Sequence, residues 1–152
     1  MGHYIADLAQ PLHTSENYDG QLTKQKGLHV WFEKTALDEL YPNLQKEIYK
    51  RALNKWDKFT TDKASLSIFD LSIDLSKNSH ASLDRLLKDD KRYKRKDISK
   101  VAPLFKELII QRLSTGVLYL AQSWSLQLGW EYNGSRFYGF KTRPDYIFPS
   151  KQ

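Results

Sequence analysis

The feature that most constrains this fold is the apolar run from Ile98 to Trp130. In it Val101, Leu104, Phe105, Leu108, Ile109, Leu113, Val117, Leu120, Ala121, Trp124 and Leu128 recur at helical intervals. A period near 3.6 puts them on one broad helix face, which predicts a long central helix or two helices broken near Ser114 to Gly116. Pro103 has no backbone N–H to give and suits a first helical turn, so the helix proper is expected to begin near Ala102.

The rest of the chain supplies shorter partners for that helix. Residues 2 to 9 read as the last turns of a helix stopped by Pro11, whose ring disfavours helical geometry at the residue before it. Leu28, Trp31, Phe32, Leu37 and Leu40 mark a second helix that ends at Pro42. Leu44, Ile48, Ala52, Leu53 and Trp56 form one stripe of a third, over about residues 43–60. A fourth is expected over about residues 63–87, interrupted near Asn78 and Ser79. Between the first two, residues 14–27 collect Ser, Asn, Asp and two Gly without periodicity. So long a connection is expected to be functional or to lie against something.

Two segments depart from this pattern. KDDKRYKRKD, residues 88–97, is almost wholly charged and reads as a solvated connector, with nucleic-acid or lipid-headgroup contact as the other reading. The tail from Glu131 to Gln152 is rich in Tyr and Phe punctuated by Gly and Pro. It is expected to wrap back across the helices in extended form, its aromatics serving as anchors. The whole reads as one all-α domain over residues 1–152: a histidine-bearing segment 1–33, a helical remainder 34–130 and an extended tail 131–152.

Composition narrows the chemistry. With no cysteine among its 152 residues, the chain has no disulfide, thiolate zinc site or cysteine nucleophile, and any metal must be held by His and carboxylate. The net charge of +6 mildly favours phosphate-bearing partners or an anionic surface. No apolar stretch approaches the roughly 18–20 residues of a membrane span, and nothing at the start has the order of a signal peptide. Neither a glycine-rich phosphate loop, a GxSxG elbow, an internal repeat nor a low-complexity stretch is visible.

The chemistry gathers in the first 33 residues. Three of the four histidines, His3, His13 and His29, lie there, and His3–Asp7 and His29–Glu33 are each spaced i, i+4, one turn apart on a helix face. Such a pair alone often only stabilises its helix. Two pairs together with His13 offer the nitrogen and oxygen donors that zinc accepts at about 2.0–2.2 Å. Outside this cluster only His80 remains, and no role is expected for it. Gln10, Asn17, Asp19 and Trp31 are candidates for orienting the ligands.

The run from His3 to His13, HYIADLAQPLH, followed by HVWFE from His29 to Glu33, resembles the metal-binding core of the zinc-dependent phospholipase C and single-strand-specific nuclease superfamily. The match lies in the spacing: His, three residues, Asp, five residues, His, then a loop, then His, three residues and an acid. Beyond residues 2–33 the likeness is only that of a helical continuation.

The resemblance implies an all-helical bundle with a three-zinc site. His3 and Asp7 would be ligands of the first zinc, Asp7 bridging to the third, and His13, His29 and Glu33 would hold the second. It implies a zinc-dependent phosphoric ester hydrolase of phospholipase C type, or a single-strand nuclease, acting on phospholipid or single-stranded nucleic acid. It further implies export. The family's remaining ligands lie upstream of the equivalent of His3, and this sequence has no counterpart of them. The chain therefore reads as the carboxy-terminal portion of such a fold, with at most one zinc site near completion, and a non-catalytic helical remnant stays open. Loss of the front half is expected to leave an apolar stripe uncovered on the long helix and to favour self-association.

Overall fold

The structure, a computed structural model, describes residues 2–41, 44–128, 131–132 and 137–138. It is an all-α bundle. The helices are α1 (Gly2–Leu8), α2 (Leu28–Val30), α3 (Ala36–Leu40), α4 (Leu44–Asp62), α5 (Ile68–His80), α6 (Leu83–Tyr93) and α7 (Ile98–Leu128). A π-helical turn, Trp31–Thr35, joins α2 to α3 without a break, and short 3-10 turns fall at Pro11–Thr14 and Gln21–Thr23. Glu131–Tyr132 pairs antiparallel with Phe137–Tyr138. The remainder of the expected extended tail lies outside the described residues.

α7 is the axis, in contact with α1, α3, α4, α5 and α6. Its Phe105, Leu108 and Ile109 are fully buried and meet Leu12, Leu28, Trp31, Phe32 and Leu86 in the main core, so the chain's first third is built around the helix that the periodicity identified. A second cluster joins Ile5 and Ala9 to Leu71, Leu75 and Tyr119, and a third joins Ala52 and Trp56 to Leu118.

α7 is continuous, in place of a break near Ser114 to Gly116. Gly116 instead allows close approach: a Cβ there would lie 2.9 Å from that of Ala9. Pro103 sits past the first turn, exposed, so the backbone bond it cannot make is lost on the solvent side. Leu104, Val117, Trp124 and Leu126 remain exposed on α7. Val117 and Trp124 share a face, whereas Leu104 lies away from it, so the exposed residues form no single stripe.

The expected fourth helix is two helices. Ser67 caps α5 reciprocally with Asp70, each side chain accepting from the other's backbone N–H, which moves the start from residue 63 to 68. The chain then turns at Ala81 and Ser82 before α6. Residues 88–93 of the charged run continue α6 rather than forming a connector, and Asp90 is buried. Its carboxylate accepts from Gln25 Nε2 at 2.7 Å and pairs with Arg95 Nε at 2.8 Å. Arg95 also donates to the carbonyls of Gln25 and Lys26. The charged run thus clamps the long irregular segment onto the bundle.

Two polar networks tie the helices together. Arg112, 3% exposed, donates to the Ala9 carbonyl behind α1, to Asn78 near the end of α5, and to the hydroxyls of Ser79 and Ser82. It has no carboxylate partner among the described residues, and burial lowers its pKa to about 10, so it stays charged at neutral pH while resting on the carbonyl-rich ends of two helices. Tyr119 donates to Asp74 at 2.5 Å, and Lys63 pairs with the same carboxylate at 2.8 Å. Burial pushes the Asp74 carboxyl up, but Lys63 and the Tyr119 hydroxyl outweigh it and hold its pKa below the usual range.

Candidate metal centre

His13 is carried on the 3-10 turn Pro11–Thr14. Gln10 starts this turn by accepting from the Leu12 N–H at 2.7 Å, and Pro11 fixes the first helical φ. Behind the turn, His80 on α5 reaches the Thr14 carbonyl at 3.1 Å through Nδ1. The histidine for which no role was expected therefore braces the neighbour of His13. That contact joins residues 66 apart in sequence, and no local pattern announces it.

The segment after His13 folds back through its own side chains. Asn17 accepts from Leu22 N–H at 2.8 Å and donates to Thr23 Oγ1, and Gly20 and Gly27 take left-handed conformations at the two bends. Asp19 then does what an N-cap would: Gly27 at the start of α2 has no side chain to cap the helix, and Asp19 accepts from the N–H of Gly27 at 3.0 Å and of His29 at 3.2 Å. The Gly27 N–H, followed by other contacts including His29, outweighs burial and holds the Asp19 carboxyl below its usual pKa. Of the four orienting candidates, Asp19 acts directly on His29, a candidate ligand, Gln10 and Asn17 shape the turns on either side, and Trp31 is buried edge-on against Phe105 at 4.9 Å.

His29 Nδ1 lies 2.9 Å from the Tyr18 carbonyl, which can only accept. In the neutral ring Nδ1 therefore keeps the proton and Nε2 turns its lone pair toward the cluster. His29 Nε2 is 2.7 Å from Glu33 Oε2 and 3.1 Å from His13 Nε2, and His13 Nε2 is 3.6 Å from Glu33 Oε2. Three donors thus converge with partly open faces. A tetrahedral ion with bonds of about 2.0–2.2 Å spaces its donors about 3.4 Å apart. The three separations straddle that value, so these residues fit a zinc-sized cation with only small side-chain movement. Three protein donors also leave a position free for water or substrate.

His3 and Asp7 form a separate pair, Nε2 to Oδ2 3.2 Å, and the His3 side chain is 82% exposed. Asp7 nevertheless lines the same cavity as His13 and Glu33, a space of about 190 Å³. The structure therefore gathers His13, His29 and Glu33 into one cluster, with Asp7 beside it and His3 in solvent. Arg112 also lines that cavity and was not singled out from the sequence, although a lone cation within the apolar run LIIQRL is a readable signal.

Fold and cluster define an all-α protein with a His₂Glu set able to coordinate a metal ion. No family model, no curated protein and no solved structure matches the chain.

Proposed function

We propose that the chain is a zinc-binding phosphoric ester hydrolase of phospholipase C type, its zinc held by His13, His29 and Glu33. The observation that carries this reading is the convergence of two imidazole Nε2 atoms and one carboxylate oxygen within 3.6 Å of one another. A zinc ion bound there would supply a Lewis acid for a phosphoryl oxygen and a water acidified to near neutral pH.

The chain's own residues fix that geometry. The Tyr18 carbonyl holds the His29 tautomer, Asp19 holds its backbone, and the Pro11–Thr14 turn aims His13. His3 and Asp7 offer a further donor pair one turn apart, next to the first, which supports a neighbouring metal position that other ligands would complete. The +6 charge suits a phosphate-bearing substrate.

The test is equilibrium dialysis against zinc followed by metal analysis, then hydrolysis assays on phosphatidylcholine vesicles and on single-stranded DNA. One zinc per chain, lost in His13→Ala and His29→Ala, together with zinc-dependent release of the lipid headgroup, is the expected result. DNA cleavage alone would transfer the reading to the nuclease branch. Zinc binding without hydrolysis would leave a non-catalytic metal module, and absence of zinc binding would overturn the reading.

A further inference from the structure

The cavity beside the metal cluster has the build of a ligand subsite. Ala6, Phe32, Leu37, Ile109 and Leu113 give it apolar walls, and Asp7, His13 and Glu33 contribute to its lining. Its volume of about 190 Å³ compares with the roughly 150 Å³ of an apolar cavity that accepts a benzene ring.

Two polar features of the wall are unbalanced. Gln10 is 9% exposed, and its Oε1 is committed to the Leu12 N–H while its Nε2 has no hydrogen-bond partner among the described residues. A buried amide donor left unpaired is destabilising, and Nε2 exposes almost no surface, so it leaves that wall unbalanced without itself opening into the cavity. Arg112, also in the wall, carries a buried positive charge that no carboxylate neutralises among the described residues. With a cation on the triad offsetting Asp7 and Glu33, that corner would favour an anion.

The geometry points to a subsite for a phosphoryl or phosphonyl anion bearing one ring-sized apolar group. The anion sits at the metal cluster, and the apolar group enters the cavity past Ala6 and Phe32. This rests on the metal reading above and sharpens it: the favoured esters carry an aryl or compact alkyl group there rather than a sugar.

Calorimetric titration of the zinc-loaded chain with phenylphosphonate and methylphosphonate tests it. Burying the ring predicts roughly 10- to 100-fold tighter binding of the phenyl compound. Ala6→Phe, which fills the cavity from an exposed helix position, should abolish that preference without changing zinc affinity. Equal binding of the two compounds by zinc-loaded wild type overturns the subsite and leaves the metal reading standing. If zinc does not bind, the metal reading falls. Phenol binding to the metal-free chain, followed by ligand-observed NMR and lost in Ala6→Phe, then supports the apolar cavity, and no phenol binding overturns it.

Discussion

Zinc should stabilise the folded chain by an amount that the geometry allows to be worked out. The three donor atoms are already 2.7, 3.1 and 3.6 Å apart, near the roughly 3.4 Å edge of a zinc tetrahedron, so little reorganisation is charged against binding. At free zinc a hundredfold above its dissociation constant, linkage gives about 2.7 kcal/mol. For a chain of 152 residues, each kcal/mol raises the melting temperature by roughly 2–4 °C, so the shift should be about 5–11 °C. Thermal melts followed by far-UV circular dichroism, with and without zinc, measure it directly. His29→Ala should remove the zinc-dependent shift while moving the zinc-free melt only slightly, because the His29 side chain is a quarter exposed and on the rim of the core. A zinc shift below 1 °C at millimolar metal would refute the reasoning. So would a full shift that persists when His13 and His29 are both alanine.

Asp19→Ala should weaken zinc binding about 10- to 100-fold by freeing the backbone that presents His29, and Asp19→Asn, which keeps an acceptor oxygen, should recover part of the loss in the same titration. Phe105→Ala should cost about 3–5 kcal/mol in denaturant unfolding, since the ring is fully buried and packs edge-on against Trp31. Asp74 has a lowered pKa in the fold, so the folded state binds fewer protons than the unfolded one, and its contribution is present above the unfolded value of 3.8 and lost as pH falls below it. Acid titration of stability should therefore be shallower in Asp74→Asn than in wild type between about pH 4 and pH 2.

The helices were legible because burial against one axis imposes a 3.6-residue period, and α4 and α7 show it over many turns. What the period could not give was pairing at a distance. Asp90 and Arg95 stand in a run that any local reading leaves in solvent, yet the folding back of residues 19–27 brings Gln25 onto them and buries the acid. The candidate site divides in the same way. His29 and Glu33 are one turn apart in sequence and so visible as a pair, whereas His13 joins them only because Asn17, Asp19 and two left-handed glycines reverse the intervening chain. Arg112 stands out in the sequence as a lone cation in an apolar stripe, but its role is visible only once the helix ends of α1 and α5 are placed around it.

The π-helical turn at Trp31–Thr35 left a trace in the sequence. Phe32 and Leu37 are five apart, where a regular stripe would step by three or four. The Ala36 N–H bonds to the Trp31 carbonyl across this wide turn, so both Trp31 and Ala36 stay buried while Glu33 stays outside next to His29. Such turns recur at functional sites, and this one carries Glu33, a candidate ligand. Deleting the exposed Lys34 should let α2 and α3 join as one regular helix, with helix content and melting temperature unchanged or raised. The wide turn that presents Glu33 would be gone, and zinc affinity should fall at least tenfold. A deletion variant that is more stable and still binds zinc as tightly as wild type would show that the wide turn serves packing alone.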